Sequence, residues 1–181
     1  DAVAIKTPDQ VLTYRELAAA AGNVAAQLLA AGVQAGDFVA LLESRSVNAI
    51  IAMLGILRAG AAYVPLDPTH APEQLGFIAT DIPFRAALVA ERYADKALSL
   101  FGKGLPVIDL AQATNQLSAD AQVVAASGDD VAYVLYTSGT SGAPKGVVVA
   151  QRAIAAYVLD QPMTGVLAGD VVLHASTIAC D

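Results

Sequence analysis

The sequence predicts an α/β protein of alternating helices and mostly parallel strands. Three observations carry that expectation. Strand-length apolar runs recur along the chain, stretches with helical periodicity lie between them, and Gly or Pro punctuates the junctions. With 181 residues, of which 56% are hydrophobic and 15% charged, there is material for one sizeable core with helices covering a sheet.

The elements follow in order. Thr13 and Glu16 form a capping-box pattern, after which Leu17, Val24, Leu28 and several alanines hold an apolar face until Gly32 offers a stop. Phe38–Leu42 reads as a strand, Asn48–Ala59 as a buried helix ending at Gly60, and Ala62–Val64 as a short strand ending at Pro65. A helix from Pro72 to Ala79 leads to strand Ala86–Ala90, then a helix from Tyr93 to Leu100 and strand Pro106–Asp109. Residues 111–129 lose periodicity and read as a surface connection. Val131–Tyr136 is a buried strand, Val147–Val149 resumes a β-branched run, Ala153–Leu159 is helical, Gly165–Asp170 a turn, and Val171–Ala175 another strand. No internal repeat is present.

Composition excludes several function classes. A net charge of −7 and an isoelectric point near 4.6 argue against a nucleic-acid partner, which requires a basic face. The single cysteine, Cys180, excludes an internal disulfide framework and a multi-cysteine metal site. The longest uncharged apolar stretch, Val47 to Leu57, is well short of the roughly 20 residues of a membrane span and reads as a buried helix. No targeting segment is read at the N-terminus, and a cytoplasmic protein without membrane partners is expected. A mean hydropathy of +0.55 points to extensive burial or to surfaces covered by further chain.

The chemistry concentrates in one loop, Tyr136-Thr137-Ser138-Gly139-Thr140-Ser141-Gly142-Ala143-Pro144-Lys145-Gly146, framed by the two apolar runs. Gly139, Gly142 and Gly146 permit positive φ, so successive N–H groups can form a concave nest for phosphate oxygens. Thr137, Ser138, Thr140 and Ser141 add hydroxyl donors, and Lys145 adds a mobile positive charge. The spacing does not match the G-x-x-x-x-G-K-[ST] loop of common nucleotide hydrolases. A Ser/Gly-rich hairpin with an exposed lysine is the plainer reading of the same residues.

This loop resembles the phosphate-binding signature of the adenylate-forming superfamily, which includes acyl-CoA synthetases, luciferases and the adenylation domains of nonribosomal peptide synthetases. Leu12-Thr-Tyr-Arg-Glu-Leu17 and Leu57-Arg-Ala-Gly-Ala-Ala-Tyr-Val-Pro-Leu-Asp-Pro68 resemble the first two core motifs of the peptide-synthetase branch. The resemblance spans the chain but covers only the front of a family domain. It implies that residues 1–181 are part of an N-terminal subdomain, with the C-terminal subdomain and its catalytic lysine absent, so no catalytic residue is assigned in this fragment, and the isolated fragment is expected to be inactive.

The resemblance further implies ATP-dependent activation of an amino acid as aminoacyl-AMP. Transfer to the phosphopantetheine thiol of a peptidyl carrier protein domain follows. ATP and Mg²⁺ are the implied cofactors, Thr137 through Gly142 and Lys145 the implied phosphate-binding residues, and the remaining part of the adenylation domain an implied partner. Asp181, in Ala175-Ser-Thr-Ile-Ala-Cys-Asp181, aligns with the position that binds a substrate α-ammonium group, against the alternative of an ordinary strand-end aspartate. No protein metal site is assigned.

Departures from the family pattern occur at His70, Gln74, Gln151 and Cys180, where tyrosine, arginine, histidine and phenylalanine are usual. His174 is read as a satisfied or half-buried strand residue and Arg152 as a solvated helix-end arginine, with phosphate steering its alternative. The rival functions are an acyl-CoA or acyl-ACP ligase, and a non-catalytic module that binds a nucleotide or a partner.

Overall fold

The computed structural model describes residues 2–115, 124–137, 144–159, 165–167 and 169–179. Its first element is a hairpin of β1 (Val3–Lys6) and β2 (Val11–Thr13), paired antiparallel and closed by Thr7, whose N–H donates to the Gln10 carbonyl at 2.9 Å. The sequence reading missed these strands because they are short and Val3 and Val11 face outward. The hairpin runs directly into α1 (Tyr14–Ala30), whose cap forms as expected: the Thr13 N–H donates to Glu16 Oε2 at 2.8 Å, and the Glu16 N–H donates to Thr13 Oγ1 at 3.3 Å.

Both expected glycine stops have one geometry. At the end of α1, Gly32 takes φ +84° while its N–H donates to Leu29 and that of Val33 to Leu28. After β3 (Phe38–Leu42), α2 (Val47–Arg58) ends the same way: Gly60 at φ +77° donates to Leu57 and Ala61 to Ile56. Each is a Schellman motif, in which only glycine takes the left-handed position without strain.

The chain continues through β4 (Ala62–Leu66), α3 (Pro72–Asp81), β5 (Phe84–Val89), a 3₁₀ turn at Glu91–Tyr93, α4 (Ala94–Phe101), β6 (Val107–Asp109), α5 (Leu110–Asn115), β7 (Val131–Thr137), β8 (Lys145–Ala150) and α6 (Gln151–Leu159). The sheet order is β6-β5-β3-β4-β7-β8, with β8 alone antiparallel to its neighbour. β4 runs through Pro65, which stays paired with Leu41, instead of ending there.

Residue alternation along the strands sorts the core onto two faces. Val39, Leu41, Ala86 and Leu88 pack against α1, α2 and α5, whereas Ala40, Leu42, Val64, Leu66, Ala87 and Val89 pack against α3 and α4. A three-layer α/β/α arrangement results, as the predicted fold class requires.

Two sequence expectations are corrected here. Residues 110–115 form α5, with Leu110, Ala113 and Thr114 buried, because Asp109 Oδ1 accepts the Gln112 N–H at 2.8 Å and caps a helix too short to show periodicity. Residues 171–175 form no strand: Val171 is 95% exposed and Leu173 84%, and among the described residues no strand edge pairs with them. A β-branched run needs a ladder partner before it becomes a strand. His174 is accordingly exposed, not half-buried.

Candidate functional site

All five parallel strands end at one edge of the sheet, and polar groups gather there. Glu43, just past β3, is buried, yet its carboxylate is satisfied: Ser44 donates its N–H at 2.6 Å and its hydroxyl at 3.1 Å, and Arg92 from the turn after β5 completes the set with an ion pair. Arg92 also donates to Ser44 Oγ at 2.8 Å and lies 4.9 Å from the centre of the Tyr93 ring. This network bridges adjacent strands whose outgoing connections diverge to opposite faces of the sheet, which is where open α/β sheets have a crevice.

Past β4, Asp67 is buried as well. Burial pushes its pKa up, but the Thr69 hydroxyl at 2.6 Å and N–H at 2.9 Å, with weaker help from His70 and Lys96, outweigh that and hold it below the ordinary 3.8. His70 and Gln74, two of the departures from the family pattern, are half-buried on this segment and on α3.

The glycine-rich loop leaves the same edge, from the end of β7. Its two roots are described: Thr137 is the last residue of β7 and Lys145 the first of β8, and they stand directly opposite one another. Thr137 is half-buried and Lys145 exposed, so the pair sets a hydroxyl and a cation side by side at the loop mouth. Ser138, Gly139, Thr140, Ser141 and Gly142 lie outside the described residues.

Gly146 departs from its expected role. It belongs to β8, opposite Tyr136, and is not among the glycines at positive φ. What it supplies is space, since a Cβ there would stand 3.2 Å from Tyr136 Cζ and 3.1 Å from Val134 Cγ1. Sequence reasoning missed this, although a Tyr and a Gly at equal distances from a turn centre is the signal of a cross-strand pair.

Asp181 and Cys180 also lie outside the described residues, but the segment before them is placed. Arg45, in the β3–α2 connection, donates to the Ala175 carbonyl, and Ile178 is buried in the core on the α1 and α2 face. Arg152 sits in the first turn of α6, exposed and paired with Asp129. Because β8 is antiparallel and Ala150 pairs with Val131, that turn lies at the opposite edge from the loop roots, which removes the phosphate-steering alternative. Among the described residues, no group of three or more His, Cys, Asp or Glu could hold a metal ion, and no helix is long and apolar enough to cross a membrane.

Comparison with known proteins gives this arrangement its context. Malpibaldin synthetase of Mortierella alpina is 38% identical over 174 residues, covering 94% of this chain and 3% of that protein. Among solved structures, apo MatB from Rhodopseudomonas palustris superposes with a TM-score of 0.81 at 31% identity, over 88% of this chain and 34% of the other. A nonribosomal peptide synthetase, FmoA3, in its α-methyl-L-serine-AMP bound form, gives 0.78 at 32% identity, over 88% and 17%. The chain thus spans a few per cent of the curated relatives it matches and about a third of MatB. The family described as AMP-binding enzyme matches residues 1–181, the whole chain with its hydroxyl- and glycine-rich loop included, and the chain belongs to that family.

Proposed function

We propose that this chain is the front portion of an amino-acid adenylation domain of a nonribosomal peptide synthetase. The carrying observation is the Thr137–Lys145 pair at the mouth of the loop, a donor and a cation held by a shared register at the ligand-binding edge of the sheet. ATP is the substrate that fits them. Lys145 would neutralise charge on the β and γ phosphates, Thr137 and residues 138–142 would donate hydrogen bonds to the same oxygens, and Mg²⁺ would arrive on the phosphates themselves. With the phosphates held, attack of a carboxylate on the α-phosphorus expels pyrophosphate in line and leaves an acyl-adenylate, ready for transfer to a carrier-domain thiol.

The exposed apolar row of Leu167, Val171, Val172 and Leu173, with Tyr157, Val158 and Leu159 on α6, supports a part of a larger domain. Asp181 is proposed to bind the substrate ammonium. The docking of its lead-in segment by Arg45 at the carboxyl edge is compatible with that role.

The test is amino-acid-dependent exchange of pyrophosphate into ATP by the full parent protein, across amino acids and fatty acids, beside Lys145→Ala and Asp181→Ala. Exchange with one class of amino acid, weakened by both substitutions, is the expected result. Lys145→Ala is expected to lose about 10- to 100-fold, on the scale of one charge-assisted phosphate contact. Exchange with fatty acids alone would make the parent an acyl ligase, and ATP binding without exchange would make it a binding module.

A further inference from the structure

The root of the phosphate loop is held from outside the hairpin by α3. Tyr136 precedes Thr137, and its hydroxyl donates to Asp81 Oδ2, on the last residue of α3, at 2.5 Å. Phe77, one turn earlier on that helix, sets its ring edge-on to Tyr136 with centroids 6.4 Å apart. The Tyr136 ring packs closely on Gly146, where a Cβ would stand 3.2 Å from Cζ and force the ring to shift by a few tenths of an ångström. Burial first, and then the Asp81 hydrogen bond, push the phenol pKa far above its ordinary value, so the hydroxyl remains a donor well into the alkaline range.

The hairpin needs such a hold. β8 is an edge strand of the described sheet, with Val147 and Val148 exposed, and its backbone ladder runs to β7 alone. Register is strongly specified where a strand buries one face and weakly where it buries neither, as in β8, which has no buried residue, and a slip by one residue sends every side chain to the other face. Here a slip would take Lys145 from its place opposite Thr137. The tyrosine–glycine pair resists it, because the ring fits against residue 146 but would meet the side chain of Lys145 or Val147 in either neighbouring register.

We propose that Tyr136 and Asp81 are positioning residues: α3, through their hydrogen bond, locks the β7–β8 register and so holds Lys145 opposite Thr137 at the loop mouth. The reaction served rests on the adenylation reading above; the lock itself is read through nucleotide affinity.

The experiment uses the full parent protein with Tyr136→Phe, Asp81→Ala, Asp81→Asn and the double variant Tyr136→Phe/Asp81→Ala. Calorimetric titration with MgATP gives Kd, pyrophosphate exchange gives KM for ATP and for the amino acid, and a thermal melt checks folding. Tyr136→Phe and Asp81→Ala should each raise Kd and KM for ATP about three- to tenfold, leaving the amino-acid KM unchanged. Asp81→Asn, whose amide oxygen still accepts, should stay within about twofold of wild type, and the double variant should be no worse than either single one.

Affinity for ATP unchanged in both single variants, additive losses, or an amino-acid KM rising in step would overturn the lock. Should Asp81→Ala fail to fold, Tyr136→Phe carries the test, since it removes only the hydroxyl by which α3 holds the ring in place against Gly146. Wild-type protein that binds ATP but exchanges with no acid removes the adenylation reading while Kd still decides the lock; wild-type protein that does not bind ATP overturns both.

Discussion

Two helical glycines should respond to alanine with opposite signs. Gly55 of α2 faces α1, and a Cβ built on it would lie 2.5 Å from Val24 Cβ, 2.6 Å from Val24 Cγ1 and 2.9 Å from the Ala21 carbonyl oxygen. Carbon pairs are comfortable at about 3.5–4.0 Å, so the helices would have to part by roughly 1 Å. None of the closest atoms can swing aside: one is backbone, and Val24 is fully buried with its Cβ fixed by the helix. Overpacking of this kind costs about 1–3 kcal/mol, and replacing a helical glycine returns about 1 kcal/mol of propensity. With clashes on both sides of the new methyl the upper part of the range applies, leaving a net loss of about 1–2 kcal/mol.

Gly76 of α3 is the control, because a Cβ there meets nothing within 4 Å. Its substitution collects the propensity term alone, a gain of up to about 1 kcal/mol. Thermal melts and urea titrations of the 181-residue chain read both changes. At roughly 2–4 °C per kcal/mol for a domain of this size, Gly55→Ala should lower Tm by about 2–8 °C and Gly76→Ala raise it by about 2–4 °C. Equal signs, or a Gly55→Ala chain as stable as wild type, would refute the close approach of α1 and α2.

Thr13→Ala should cost about 1 kcal/mol by uncapping α1. Backbone and side-chain hydrogen bonds from Thr13 hold the Glu16 carboxyl below its ordinary 4.5, so the stability it adds is complete above that pH and is lost as pH falls through the lower folded value; urea midpoints of wild type and Glu16→Gln should therefore converge in acid. Burial first, and then the neighbouring Tyr133, push Tyr63 from 10.0 up to about 12, so the associated stability is intact below pH 10 and drains between 10 and about 12; tyrosinate absorbance in Tyr63→Phe should lack that late-titrating group.

Much of the fold was legible because local signals agreed with tertiary demands. Thr13 with Glu16, and Gly32 and Gly60 after apolar helices, mark boundaries through hydrogen bonds that form within a few residues, and two of the three family-like motifs turn out to contain these caps and stops. The failures came where partners decide. Residues 171–175 have strand composition without a ladder, α5 is too short for a period, and β1 and β2 are stabilised by the α1 entry they adjoin, where the Tyr14 N–H donates to the Ala2 carbonyl at 3.1 Å. The chemistry proposed for the loop rests on residue types alone. Its anchor was not legible, since Asp81 and Tyr136 are 55 residues apart, and nothing in either neighbourhood announces the other.

The antiparallel return of β8 bears on how this loop can hold an anion. In phosphate loops that lead straight into a helix, the helix N-terminus faces the ligand and supplies oriented N–H groups and a partial positive charge. Here the chain goes from the loop into β8, and α6 begins only after Ala150, which pairs with Val131 at the far end of β7. At about 3.4 Å per residue, the start of α6 at Gln151 is roughly 20 Å from Lys145, beyond the first-turn reach of a helix dipole. The first turn of α6 instead spends its charge on Asp129 through Arg152. On the proposed reading, a phosphate at this mouth would be met by the loop's own donors and by Lys145, whose backbone is fixed by its pairing with Thr137 while its side chain is exposed.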